Sequence, residues 1–150
     1  MTESAAERAW RLALATAAIV VALDQITKQA AAASIARGDS VNVFFALDVT
    51  NIRNKGIAFG ALKGAGLVVL ALTLVALGAL LAYFAFNPTR RLLWLPVGMV
   101  AGGALGNLAD RARIGAVIDW IDPTFWPAFN VADATIVLGI LGLLYVIEGE

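Results

Sequence analysis

Four stretches of the chain run without a charged side chain: Leu12 to Leu23, Gly64 to Asn87, Leu92 to Ala109, and Ala134 to Ile147. A helix crossing a bilayer needs about 20 largely apolar residues at about 1.5 Å of rise each. The second stretch meets that length outright and the third nearly does. The first and fourth meet it when each helix carries one acidic residue just inside an end, Asp24 and Asp133. The pattern predicts an all-α membrane protein with four transmembrane helices over roughly residues 10–34, 64–87, 91–110 and 131–148, forming one domain across 1–150.

Between the first two stretches the pattern changes. Ser40-Val-Asn-Val-Phe-Phe-Ala-Leu-Asp-Val-Thr-Asn-Ile-Arg mixes β-branched and aromatic residues with polar ones and is bounded by glycines. This predicts a small extramembrane antiparallel β-sheet over roughly 38–61. Asn87-Pro88-Thr89-Arg90-Arg91 reads as a tight loop between spans two and three. Arg8 and Arg11 before an apolar core, with alanines from Ala30 to Ala36, resemble a secretory signal. Asp24 and Lys28 intervene at i,i+4 on one helical face, which favours a single helix running past Leu23. Gly98, Gly102 and Gly106 recur every four residues and predict a stripe where another helix packs closely.

An even number of spans puts both termini beside the Arg90-Arg91 loop, and that side is expected to be cytoplasmic. Of the 11 basic residues only 4 then face inward and 7 outward, so the charge count argues against this orientation. Several of the outward ones lie in a long segment or inside polar clusters. Trp10, Trp94, Trp120 and Trp126 are expected at the membrane interfaces, where indoles favour the headgroups.

Composition narrows the chemistry. Hydrophobic residues make up 61% of the chain and charged ones 15%, against about a quarter charged in soluble domains. Eleven basic and eleven acidic residues cancel, so nothing suggests nucleic acid as a partner. The chain has no cysteine and no histidine, which removes disulfides, Cys/His zinc sites, thiol nucleophiles and imidazole bases. Carboxylate, Lys and Tyr remain for acid–base work, with water or a weakly activated Ser or Thr as nucleophile.

In the expected topology four polar clusters fall on the outer side. These are Asp24 with Lys28, the segment Asn54 to Gly60, the run from Gly106 through Asp119, and Phe129 to Asp133. Ionisable groups at a membrane boundary are costly to retain and are functional candidates by default. Two carboxylates sharing a low-dielectric site cannot both ionise cheaply, so one holds a proton while the other stays a base. That is aspartic protease apparatus and requires no metal or cofactor. Read without a wider pattern, Asp119 and Asp133 serve equally well as a helix end and an N-cap. Asp110, next to Arg111, suits a helix end or an ion pair, and Asp122, before Pro123, suits a turn. A small transporter or proton pathway would place polar groups through the middle of the spans, whereas here they collect at one end. A structural membrane subunit with inert polar ends is a third reading.

The wider pattern is present. Asp24-Gln25-Ile26-Thr27-Lys28, Asn54-x-Gly56-x-Ala58-Phe59-Gly60, Gly102-Gly103-Ala104-Leu105-Gly106-Asn107-x-x-Asp110-Arg111-x-x-x-Gly115-x-Val117-x-Asp119, and Phe129-Asn130-Val131-Ala132-Asp133 follow in that order. Together they resemble the motifs of lipoprotein signal peptidases, the signal peptidase II family of membrane aspartic proteases. The resemblance implies that Asp119 and Asp133 are catalytic. It implies that Asn54, Asn107, Arg111 and Asn130 hydrogen-bond the dyad or the peptide, that Gly56 supports the site, and that Asp24 with Lys28 braces its edge. It further implies a lipid-modified bacterial prolipoprotein as substrate, cut just before the cysteine bearing diacylglycerol. The enzyme would be a monomer among the lipids of the inner membrane, its site near the outer face. Trp120 stands where the family usually has Phe, and Ile57 where it usually has Ala; neither removes a required group.

Overall fold

The computed structural model describes residues 3–56 and 65–149. In chain order the elements are α1 (Ala5–Ser34), β1 (Ser40–Phe44), β2 (Leu47–Asn54), α2 (Ala65–Phe86), α3 (Trp94–Ile114), β3 (Val117–Pro123) and α4 (Val131–Glu148).

A capping box opens α1: the Glu7 N–H donates to Ser4 Oγ at 3.2 Å while the Ser4 N–H donates to Glu7 Oε2 at 2.7 Å. The helix then runs 30 residues without a break at Asp24, as the continuous-helix reading expected. At about 1.5 Å per residue it is longer than the roughly 30 Å hydrocarbon core of a bilayer. Its surplus carries the polar turn bearing Asp24 and Lys28 to one end of the bundle.

Among the described residues three helices, not four, are long and apolar enough to cross a membrane: Ala5–Ser34, Gly66–Phe86 and Val131–Glu148. The predicted third span, now α3, is the exception, and its packing explains why. Val97, Gly98, Ala101, Gly102, Gly103, Ala104, Gly106, Asn107 and Asp110 are all buried, with α1 on one side and α4 on the other. A helix whose neighbours are helices needs small surfaces and can carry polar side chains, so it loses the apolar signature that lipid contact demands. It also starts later than expected, after Leu92 (φ 60°), and runs on to Ile114 with Arg111 and Arg113 in its last turn. The other helices turn large apolar side chains outward: Leu14, Ile19 and Ile26 on α1, Leu67, Leu72 and Val75 on α2, and Val137, Leu138 and Leu141 on α4 are exposed. In water such a surface would be an aggregation liability; in hydrocarbon it is the correct face.

The glycine stripe is the seam between α1 and α3. A Cβ built on Gly98 would lie 2.6 Å from the Ala13 carbonyl oxygen, one on Gly102 2.7 Å from Val20 Cβ and 2.8 Å from the Ala17 carbonyl, and one on Gly106 2.5 Å from Asp24 Oδ2. Gly103 faces α4 instead, where a Cβ would meet the Ala132 carbonyl at 2.5 Å.

The sheet is antiparallel with strand order β1-β2-β3. Two strands fall inside the expected 38–61 segment, while residues 57–61 lie outside the described ones. The third strand, β3, was not expected. It pairs Ile52 with Asp119, Arg53 with Ile118 and Asn54 with Val117. Asp122 belongs to it as well, paired with Asp48 in the strand and not in a turn. Side-chain bonds tie the sheet to the end of α1: Thr50 Oγ1 donates to the Asp39 carbonyl at 2.8 Å and Asn51 Nδ2 to the Ile35 carbonyl at 2.8 Å.

The seam yields a paired expectation. Gly102→Leu drives a side chain into α1 backbone and should cost at least about 1–3 kcal/mol of stability, the usual scale of overpacking. Gly78→Ala on α2, where a Cβ would meet nothing within 4 Å, should cost nothing. Thermal unfolding of both variants in detergent measures the contrast, and equal melting of the two would refute the seam.

Candidate active site

Lys28 and Asp24 are fully buried, one turn apart on α1, with Nζ 2.8 Å from Asp24 Oδ2. Across the seam, α3 supplies Asp110, whose Oδ2 lies 3.0 Å from the same ammonium, and Asn107, whose Oδ1 accepts from it at 2.8 Å. Arg113 completes the charge balance at Asp110 Oδ1, 2.8 Å away. Gln25 bridges the helices, its Nε2 donating to Asp24 Oδ2, the Gly106 carbonyl and Asp110 Oδ1, each at 3.2 Å. Burying charge is tolerable only when it is paired and hydrogen-bonded, as here.

The cluster reaches the other elements through its remaining acceptors. Asp24 Oδ1 takes the Ala132 N–H at 2.9 Å and so docks the first turn of α4. Asp110 Oδ2 takes the Ile118 N–H at 3.2 Å and docks β3. Asp133 and Asp119 ride on these two docked elements. Backbone pairing of Ile121 with Phe129, at 2.9 Å in both directions, then folds the chain back so that Asn130 lies against β3.

Asn130 joins the two aspartates. Fully buried, it is the N-cap of α4: its Oδ1 accepts from the Asp133 N–H at 2.9 Å, its own N–H donates to Asp133 Oδ2 at 3.3 Å, and its Nδ2 donates to Asp119 Oδ1 at 2.8 Å. Asn54, at the end of β2, donates Nδ2 to Asp119 Oδ2 at 2.9 Å, while its Oδ1 takes the Gly56 N–H at 2.8 Å. Gly56 has φ +76°, the left-handed region where an L side chain would be strained. Asn107 donates Nδ2 to Asp133 Oδ1 at 2.8 Å. In all three asparagines the oxygen faces a group that can only donate, an ammonium or a backbone N–H. The NH₂ is thereby forced toward a carboxylate.

The two carboxyls differ in environment. Asp119 is buried and Asp133 partly open. Burial is the largest influence on Asp119 and pushes its carboxyl up. The Asn54 amide works against that, the nearby Asp133 charge adds to it, and Asn130 and Lys28 oppose it; the balance is a rise from 3.8 to about 6. The site thus holds a carboxyl that takes up a proton far more readily than an ordinary aspartate, next to a second carboxyl partly open to the outside. That pairing suits general acid–base chemistry.

Of the residues expected at the site, Asp24, Lys28, Asn54, Gly56, Asn107, Asp119, Asn130 and Asp133 come together through these bonds. Asp24 and Lys28 form a buried centre, where an edge was expected. Arg111 is half-buried, and among the described residues its side chain has no hydrogen-bond or ion-pair partner. Ile57 to Gly60 of the second motif lie outside the described residues. Gln25 and Asp110 were not among the expected site residues, although the ion-pair reading of Asp110 holds, with Lys28 and Arg113 as its partners. The i,i+3 spacing of Asn107 and Asp110, which puts both on one helical face, was the available signal for Asp110.

The family model described as signal peptidase (SPase) II matches residues 16–148. A lipoprotein signal peptidase of Pelotomaculum thermopropionicum is 41% identical over 135 residues, covering 89% of each chain. One of Caldanaerobacter subterraneus subsp. tengcongensis is 43% identical over 145 residues, covering 92% of this chain and 98% of its own. A bacterial membrane enzyme solved by the in meso method at 1.9 Å resolution superposes with a TM-score of 0.78 at 31% identity, across 91% of this chain and 92% of that one.

The raised Asp119 has a consequence for stability. Below about pH 4 the carboxyl is protonated whether the chain is folded or not; between about 4 and 6 the unfolded chain releases the proton first. The contribution of Asp119 to stability therefore falls as pH rises through that window and is constant above it. Asp119→Asn does not titrate, so its melting temperature relative to the parent should climb from pH 4 to 6 and then level. A difference independent of pH would contradict the shift.

Proposed function

Because the chain belongs to the signal peptidase II family, we propose that Asp119 and Asp133 are the dyad with which it removes the signal peptide from prolipoproteins. The enzyme is a membrane aspartic endopeptidase. The observation that carries the residue assignment is Asn130, one side chain that fixes both carboxyls from the start of α4.

In the proposed reaction Asp119 begins protonated and Asp133 as carboxylate. A peptide laid over the dyad displaces water and pushes the Asp119 carboxyl up further. Asp133 takes a proton from water as its oxygen attacks the scissile carbonyl carbon, and Asp119 gives its proton to the carbonyl oxygen. In the resulting gem-diol one hydroxyl returns its proton to Asp119. Asp133 passes its proton to the amide nitrogen, and the C–N bond breaks. The three pinned amides leave both carboxyls aligned through the cycle, and positioning of this kind supplies much of a catalytic advantage.

The finer reading follows the membrane. With α3 as a fourth, protein-enclosed crossing, both termini and the Asn87-to-Arg91 turn share the cytoplasmic side of the inner membrane, and the sheet and dyad face outward. A substrate held by two acyl chains then presents the bond before its lipidated cysteine at the level of the dyad.

Asparagine at either dyad position keeps the size and removes the acid–base function. Single-turnover cleavage of a diacylated prolipoprotein by Asp119→Asn or Asp133→Asn should therefore slow by at least about 100-fold, while Asp122→Asn retains most activity. Near-parental rates in either dyad variant would defeat the mechanism. Orientation is read separately, since the chain has no cysteine of its own. An impermeant thiol reagent applied to intact cells should label Phe45→Cys and spare Thr89→Cys; the reverse pattern inverts the topology.

A further inference from the structure

Behind the sheet lies a second cluster that the dyad does not use. A cavity of about 210 Å³ is lined by Arg37, Arg53, Lys55, Ile114 and Ala116. Three cations share it. Among the described residues none of the three makes an ion pair or a side-chain hydrogen bond, and Arg53 Nη1 is buried without an acceptor. A buried donor left unmet costs free energy, and three like charges in one small space repel.

Register separates this cavity from the active site. Ile52 stands opposite Asp119 and Asn54 opposite Val117, while Arg53, between them, stands opposite Ile118. Side chains alternate along a strand, so Arg53 points to the face away from the Asn54 amide and the dyad. The C-terminus of α3 attracts cations through its partial negative charge. Yet the Gly115 N–H already donates to the Arg111 carbonyl at 3.0 Å, and among the described residues none of the three cations bonds that helix end.

We propose that Arg37, Arg53 and Lys55 bind the phosphate of an anionic membrane phospholipid. A guanidinium fork matches phosphate oxygens in two parallel bonds, and a headgroup supplies the acceptor that Arg53 Nη1 lacks. The cavity is larger than a bare phosphate needs and leaves room for a glycerol moiety. Its wall includes Ile114, which is 43% exposed, so an apolar edge adjoins the charged floor as a lipid requires. The occupied site would neutralise the strand end next to Asn54 and steady the residue that holds Asp119.

The test uses the full purified chain in neutral detergent, titrated with dioleoylphosphatidylglycerol, dioleoylphosphatidylcholine or inorganic phosphate and read by native mass spectrometry. The parent and Arg8→Gln, at the other end of α1, should retain phosphatidylglycerol over phosphatidylcholine. Arg53→Gln should bind it at least about tenfold more weakly, and Arg53→Lys should fall between. Should Arg53→Gln fail to fold, Lys55→Gln, at an exposed position, reads the same cavity. Equal binding by parent and cavity variants overturns the proposal. So does displacement of the lipid by inorganic phosphate at matched concentration, which assigns the site to a soluble anion. Displacement by an acidic, non-lipidated peptide overturns it too, by assigning the cavity to the polypeptide substrate.

Discussion

A lysine ammonium with no exposure to solvent must be neutralised where it stands, and the arrangement that does so for Lys28 organises the rest of the molecule. Its partners are Asp24 on the same helix and Asp110 and Asn107 across the seam. Removing one partner from such a group typically costs about 3–5 kcal/mol, because a buried charge is left unmatched. The geometry is therefore tightly held. Each partner then uses what it has left: Asp24 anchors the start of α4, Asp110 anchors β3, and Asn107 turns its amide toward Asp133. A charge held apart from Asp119 and Asp133 thus sets where both of these carboxyls stand.

The two carboxyls come from different kinds of element. Asp119 belongs to a strand whose partner, β2, lies more than 60 residues earlier, and Asp133 to the first turn of a helix facing lipid. Asn130 spans the join. Its amide cannot rotate without exchanging an acceptor for a donor against the Asp133 N–H, and the same holds for Asn54 and Asn107 against their own fixed donors. The amides around these two carboxyls carry no charge that pH could alter, so their own donor and acceptor pattern is the same at every pH.

Much of this was legible in the chain. Charge-free runs located α1, α2 and α4, the glycine spacing located the seam, and four motifs in order singled out Asp119 and Asp133, which Asn130 brings together. What escaped did so for physical reasons. β3 is short, and its stabilising partner is far away in sequence, so no local period announces it; Val117-Ile-Asp-Trp-Ile shows only a brief run of strand formers. The apolar content of α3 understates its place in the bundle, because a helix surrounded by helices is built from glycine and alanine. Asp24 and Lys28 were visible as a pair, but an i,i+4 spacing gives a shared face without giving its depth. Burial of that face depends on Gly106, which lies across the seam and leaves room for the Asp24 carboxylate.

The composition of that seam also governs how it forms. Ala9, Ala13 and Ala17 on one side and Gly98, Ala101 and Gly102 on the other have no side-chain torsions to lose. Joining α1 to α3 freezes almost no rotamers along most of its length, so dispersion between closely approaching backbones is gained with little entropic opposition. The same economy removes slack. A seam lined with long side chains can accommodate an intruding methyl group by rotating a neighbour into another well; one lined with backbone and short β-branched side chains has almost no alternative conformer to offer. Thr16 and Val20, which lie against Gly98 and Gly102, are β-branched and stiff at χ1; at the polar end Asp24, Gln25 and Lys28 carry more rotatable bonds, and there hydrogen bonds make the selection.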